Sequence, residues 1–592
     1  MVNQCSLPIA CYEKSATTFK CRCSPRNERA SPLNLSSTPA PAENQESHAD
    51  DWEDSNSNSN SDSDLKSDSH SDTDSLSPIE MSMYYLDRFY LPIVPSFLRH
   101  LVGPPSNKHH VPPQKLHKIA ALDGLRGWAC LLVFNFHFLF TYTNKTAVGW
   151  GFGEDNWGVH QLPIIHMLIS GHVMVTIFFV ISGYVLSYKP LKLLRNRSWE
   201  QAFHTLASST FRRGLRLYIP SIVGIICVFI AVRLGLYHYS TWVRDEGHTI
   251  LGTNEQHPRY LASFIAQVAD CYLTVVHLMD PWNWGLFYNF YNPHLWTIPV
   301  EFRCSMVLFL TIFSVSRFRT WIRLTLVSGV LCFCIRWGRW DVVLFLSGMI
   351  MAEVDIIQGV WEAPPPIPLT LSLPTCRENT HELEPLHDAT NNNYNLIDPN
   401  RIDDANDNVT EMAQCTGPIA DNCCTRHRSH RRLLWVTIFI IGLFIGSSPN
   451  NAPQHTPFYR TLASTLTPRT YPEPHRFLQS LGSIIIVCSI NRSADLQKLF
   501  TNALAQYLGR ISYAFYIVHG PILHSLGYSL MPNIWALTGK ETDAQYCFGF
   551  AIGWLICLPV SIWVADIFWR GVDVPAVRFS RWLEGRLLVA GL

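Results

Sequence analysis

The sequence predicts an all-α fold: a polytopic membrane bundle of about ten transmembrane helices, with a disordered N-terminal tail and a long polar cytoplasmic loop. Three observations predict it. Charged residues make up only 16% of the 592 residues, well under the roughly 25% of soluble chains, while aromatic residues reach 12%. The polar residues gather in two stretches, 1–80 and about 359–432, so the remainder is far more apolar than the average reports. That remainder breaks into segments close to the roughly 20 apolar residues that a spanning helix requires. The formal net charge of zero hides the same division, because the acids collect in the polar stretches and leave the apolar body basic. A basic membrane body suits the positive-inside rule or an anionic ligand at the cytoplasmic face. Nothing in the pattern implies a nucleic-acid partner.

In chain order, residues 1–81 read as a disordered acidic tail, since the run from Ser55 to Ser77 (SNSNSNSDSDLKSDSHSDTDSLS) offers too little apolar surface to offset ordering entropy. Residues 82–116 read as an interfacial linker: Tyr84, Tyr85, Phe89, Leu91 and Phe97 are punctuated by Pro92 and Pro95. The membrane domain covers 117–570, with spans near 125–142, 168–188, 217–236, 295–315, 322–336, 340–358, 433–448, 477–490, 503–526 and 547–568. A flexible cytoplasmic loop at 359–432 is inserted in it, and 571–592 form a basic C-terminus. No cleavable signal peptide is expected ahead of the first span. The 17 cysteines show no C-x-x-C pair; Cys332 and Cys334 sit in an apolar run, Cys423 and Cys424 in a polar one, and all are expected to be reduced, mostly buried and without a metal role.

Orientation follows from Lys and Arg. The link after the second span carries Lys189, Lys192, Arg195, Arg197, Arg212, Arg213 and Arg216, against Lys145 alone after the first, which makes the former cytoplasmic. Treating Tyr260 to Met279 as interfacial keeps Arg317, Arg319 and Arg323 on the same side as Arg570, Arg578, Arg581 and Arg586. Ten spans with both termini cytoplasmic then satisfy the rule, in the endoplasmic reticulum or the plasma membrane.

Ionisable groups inside spanning helices are costly and tend to face the bundle interior, so each is a functional candidate. In LDGLRGWACLLVFNFHF, Arg126 and His137 are eleven positions apart, about 20° around a helix and about 16 Å along it. Asp123 precedes Arg126 by three and can pair with it; His137 is expected near mid-membrane. In NPHLWTIPVEFRCS, His294 and Glu301 are seven apart, again on one helix face. In GRISYAFYIVHGP, Ser512, Tyr516 and His519 fall at i, i+4 and i+7, and His524 is expected beyond that stripe. A lone buried His is ordinarily a satisfied core residue; three helices each presenting a polar stripe with a His are harder to explain by packing.

These segments also resemble a known family. LDGLRGWACLLVFNFH looks like the first-helix signature of the acyltransferase-3 family of integral membrane acyltransferases, FFVISGYVLSY like its second-helix motif, and FRRGLRLYIP like its basic third-helix entry. HLWTIPVEFRCS and ISYAFYIVHGP are similar to its Trp/Glu motif and its late Ser/Tyr/His motif. The five stand in family order, and their wording is closest to the fungal branch. Two departures stand out: Pro220 follows Arg216 by four positions rather than three, and Glu301 lies in VEF rather than in a paired-acid string. The resemblance implies transfer of an acyl group, often acetyl, from acyl-coenzyme A to a hydroxyl of a carbohydrate, lipid or small metabolite. The partners would be acyl-CoA as co-substrate, a hydroxylated acceptor and the lipid bilayer, with no further cofactor and no metal. His137 is then the expected base. Arg126, with Arg212, Arg213 and Arg216, would hold the donor, since guanidinium geometry suits phosphate. Glu301 would orient a catalytic His or bind acceptor hydroxyls, His519 is a further catalytic candidate, and Asp123, His294, Ser512 and Tyr516 support. The alternative from another class, a transporter for a small anion or sugar with a His/Glu/Arg relay, predicts internal repeats that the two halves do not display.

Overall fold

The computed structural model describes residues 94–96, 119–245, 257–361, 418–469, 471 and 473–588. The tail expected over 1–81, most of the 82–116 linker, residues 362–417 of the polar loop and the last four residues lie outside the described residues.

Regular structure among the described residues is helical throughout. The chain runs through α1 (Ala120–Phe140), α2 (Gly171–Arg195), α3 (Trp199–Arg233), α4 (His238–Asp245), α5 (Phe264–Leu278), α6 (Thr297–Val315), α7 (Thr320–Arg336) and α8 (Trp340–Ile357). It continues as α9 (Pro418–Gly446), α10 (Arg460–Leu466), α11 (Pro474–Arg492), α12 (Ala494–Lys498), α13 (Ala503–Ile522), α14 (Tyr528–Thr538), α15 (Asp543–Phe568) and α16 (Val574–Leu587). A helix thus stands at each of the ten places where the sequence predicts a span. Among the described residues, four helices are long and apolar enough to cross a membrane: Gly171–Arg195, Trp199–Arg233, Pro293–Val315 and Asp543–Leu587, the last continuous through a π turn. The apolar α5, at 15 residues, is shorter than a span requires.

Two boundaries differ from the sequence reading. α3 begins at Trp199 rather than near 217, so Arg212, Arg213 and Arg216 project from a helix and only 196–198 separate it from α2. WEQAFHTLASSTFRR has no Gly or Pro to stop a helix from running on past its apolar stretch. α9 begins at Pro418 rather than 433, which shortens the polar loop at that end; proline at a first helical position costs no hydrogen bond. The described cysteines are free thiols; Cys130, Cys271, Cys304, Cys334 and Cys557 are buried, whereas Cys227, Cys332 and Cys547 are on the protein surface.

Two packing features position the site. α1 and α13 touch backbone to backbone: a Cβ added to Gly127 would lie 2.5 Å from Gly509 N and 2.7 Å from Ala505 O. Small residues permit such close approach, which van der Waals packing then rewards in a bilayer. Around α2, α8 and α11 the interior is polar. Asp355, fully buried, accepts from Tyr184 Oη at 3.0 Å, Asn491 Nδ2 at 3.1 Å and Arg492 at 2.8 Å. Arg323 and Glu353 form a second buried pair linking α7 to α8.

Candidate active site

Three helical segments bring their histidines together. His137 lies in the last turn of α1, near that helix's C-terminal end. His294 lies in the 3₁₀ turn Pro293–Trp296 that leads into α6, and His519 lies in the last turn of α13. His137 Nδ1 and His294 Nε2 are hydrogen-bonded at 3.1 Å, with ring centroids 4.1 Å apart. The His519 ring is 5.3 Å from His137 and 4.8 Å from His294; its Nδ1 faces the Phe515 carbonyl at 3.1 Å, which only accepts, so the proton is on Nδ1. His294 and His519 are buried, His137 half-buried.

Room for this arrangement comes from Gly520, because a Cβ there would fall 2.5 Å from His294 Cε1 and closer still to Nδ1. His524, expected outside the stripe, has its ring 5.6 Å from that of His294 and stacked on Tyr528 at 4.9 Å. Leu523–Gly527 form a π turn, whose extra residue per turn rotates His524 back toward the cluster. The ligand atoms of His137, His294 and His519 lie within 4.8 Å of one another, a set able to hold a metal ion, which spacing along separate helices did not indicate.

The second part of the site is a cavity of about 200 Å³ lined by Arg126, Arg213, Arg216 and Arg510 with the carboxylates Asp123, Glu301 and Asp573. Four arginines against three acids leave it electropositive. Glu301 does not reach the histidines by any described bond. It pairs with Arg213 at 2.6 Å and accepts from Ser182 Oγ at 3.0 Å, while Arg213 Nε donates to Ser305 Oγ at 3.1 Å. The expected shared face of His294 and Glu301 supposes one continuous α-helix, and the 3₁₀ turn breaks that register. Arg126 and Asp123 pair at 3.6 Å as their spacing predicts. Arg212 turns to Glu584 of α16 at 3.2 Å and does not line this cavity.

Tyr516 joins the two parts. It lines the cavity with Thr297 and Ser512, bonds Thr297 Oγ1 at 2.6 Å and donates to the carbonyl of His294. Ser512 gives its hydroxyl to Gly509 O at 2.8 Å. Ser182, Thr297 and Arg510 were missed by the sequence reading. Arg510 was findable, six residues ahead of Tyr516 on the same helix; Ser182 lay inside the FFVISGY motif.

The Acyltransferase domain profile of the acyltransferase-3 family matches residues 119–370 and 425–570. The chain belongs to that family. Its matched region contains every histidine and arginine of the site, and the gap in the match falls in the polar loop. The acyltransferase is 30% identical over 513 residues to "O-acetyltransferase PaAT-1" of Phomopsis amygdali, covering 82% of this chain and 89% of that one. It is 24% identical to "Acyltransferase clz18" of Cochliobolus lunatus, over 79% of this chain and 96% of that one, and equally so to "Acyltransferase R4" of Phoma sp. (strain ATCC 20986 / MF5453). No solved structure matches the chain. Family and apolar helices together make it an integral membrane enzyme that transfers acyl groups.

Proposed function

We propose that the acyltransferase moves an acetyl or similar acyl group from acyl-coenzyme A to a hydroxyl of a carbohydrate, lipid or small metabolite. The observation that carries this reading is the four-arginine cavity joined through Tyr516 to the histidine cluster. Arg126, Arg216 and Arg510 supply fork-shaped donors for the donor's phosphates, with Arg213 held in place by Glu301. The pantetheine arm then bridges the roughly 16 Å of helix between the Arg126 and His137 levels. His137 takes the acceptor's O–H proton as the oxygen attacks the thioester carbonyl; when the tetrahedral intermediate collapses, the departing thiolate receives that proton back. In this reading the chain crosses the endoplasmic reticulum or plasma membrane ten times with both termini cytoplasmic, and the arginine cavity opens to the side that holds coenzyme A.

A paired substitution tests it. His137→Gln keeps a polar side chain and leaves donor binding intact, but lowers transfer by roughly 10²-fold to 10⁴-fold, the usual worth of a general base. Arg126→Ala does the reverse, weakening the binding of a non-hydrolysable acetyl-CoA analogue. Near-normal turnover in a folded His137→Gln variant would move the base elsewhere.

A further inference from the structure

His294 uses both ring nitrogens, and its partners fix where the protons lie. Nδ1 faces Asn292 Oδ1 at 3.2 Å, and Nε2 faces His137 Nδ1 at 3.1 Å. The Asn292 amide cannot be turned over, because its Nδ2 donates to the Ile517 carbonyl at 2.8 Å and a carbonyl only accepts. Oδ1 is therefore the atom aimed at His294. An acceptor there requires the proton on His294 Nδ1, so the neutral ring carries its lone pair on Nε2. His137 must then carry its own proton on Nδ1 to make the 3.1 Å bond, which leaves the His137 lone pair on Nε2. Through two side chains, one backbone carbonyl of α13 dictates the protonation of a ring on α1.

Asn292 is held for this task from three directions. It is completely buried. Its N–H donates to Asn289 Oδ1 at 2.6 Å, and Asn289 Nδ2 returns a bond to its carbonyl at 2.8 Å. Pro293 follows it, which excludes the helical region for the preceding residue, in keeping with φ −152° and ψ 87°.

We infer that Asn292 is a positioning residue that acts through His294 to hold His137 in its Nδ1–H form, with Nε2 open to the acceptor's proton, and that His294 shares the charge that follows. The inference rests on His137 being the base. When the acceptor O–H breaks, a new N–H forms at His137 Nε2. The proton on Nδ1 then shifts across the 3.1 Å bond to His294 Nε2, so the positive charge moves to His294, whose Nδ1–H stays on Asn292. Both shifts reverse as the coenzyme A thiolate takes up its proton, and the pair ends as it began.

The test uses the full chain in lipid nanodiscs, with ¹⁵N-labelled histidine and with acetyl-CoA and glycerol as probes. Nitrogen NMR of the wild type, with His137→Gln assigning the signals, is expected to find His137 protonated on Nδ1, and Asn292→Ala to mix in the Nε2–H form. In turnover, Asn292→Asp places a carboxylate against His294 Nδ1 and favours the charged pair, so the acidic limb of the kcat/KM profile moves up by about one pH unit or more. Asn292→Ala lowers kcat with little change in KM. A merely structural asparagine would lower activity without moving the limb. A wild-type His137 protonated on Nε2, or an Asn292→Asp limb that stays put, overturns the inference. Full turnover in His137→Gln would instead remove the base reading, which the tautomer measurement does not depend on.

Discussion

Gly520 offers a sharp test of whether the His137–His294 contact matters to turnover. An alanine methyl there would lie 2.5 Å from His294 Cε1, and ordinary contact begins near 3.4 Å, so the imidazole must retreat by about 1 Å. Asn292 at 3.2 Å and His137 at 3.1 Å hold its two nitrogens, and a ring displaced that far loses at least one of them. Misplacement on this scale costs about 10²-fold in rate. Stability is pulled both ways, since Gly520 lies within α13, where Gly→Ala gains up to about 1 kcal/mol, while crowding the buried His294 ring costs about 1–3 kcal/mol. The expected result is therefore a folded protein only slightly less resistant to heat, with unchanged acetyl-CoA affinity and kcat lowered about 10²-fold, read as coenzyme A thiol released per enzyme. Wild-type kcat in Gly520→Ala would refute the reasoning, because it would show either that His294 has room to spare or that its placement does not limit transfer.

Dialysis against a chelator should leave acyl transfer unchanged, as expected if His137 and His294 exchange a proton rather than hold an ion; loss of activity restored by one added divalent cation would reassign His137, His294 and His519 to a metal. Asp355→Ala removes the shared acceptor of Tyr184, Asn491 and Arg492 and should destabilise by about 3–5 kcal/mol, since it leaves a partly buried cation and two buried donors without it; an unchanged melting temperature in detergent would count against that. For topology, a tag inserted near Asn400 should resist external protease in sealed vesicles oriented cytoplasm-inside, and its cleavage in intact vesicles would overturn the ten-span proposal.

Helix positions were legible because apolar runs mark them directly, and so was the Asp123–Arg126 pair, because three residues on one helix fix its geometry. Polar stripes also named the three histidines that the fold brings together. What spacing could not give was which stripe faces which. His294 meets His137 rather than sharing a face with Glu301, since the turn at Pro293–Trp296 is 3₁₀, and Glu301 is drawn instead to Arg213. Arg212 and Arg213 are neighbours in sequence, yet about 100° apart on a helix, and the two take different partners. His524 was misjudged because a π turn has no signature in residue counting. Asp355 and Glu353, in MAEVDII, were passed over: an acid near a helix end reads as solvated until three other segments are seen to close over it.

The backbone contact between Gly127 and Gly509 has a temporal consequence. Cys130 and Ser512, whose side chain and carbonyl meet beside it at 3.2 Å, are 382 residues apart in the chain. His137 is among the first residues of the bundle to be synthesised, and His519 follows only after eight of the ten predicted spans. Since α13 supplies both His519 and the Ile517 carbonyl that orients Asn292, no shorter nascent chain contains the parts of the proposed relay. The first of the ten helices at the predicted spans therefore waits for its partner, the ninth, until the seven between them have been made.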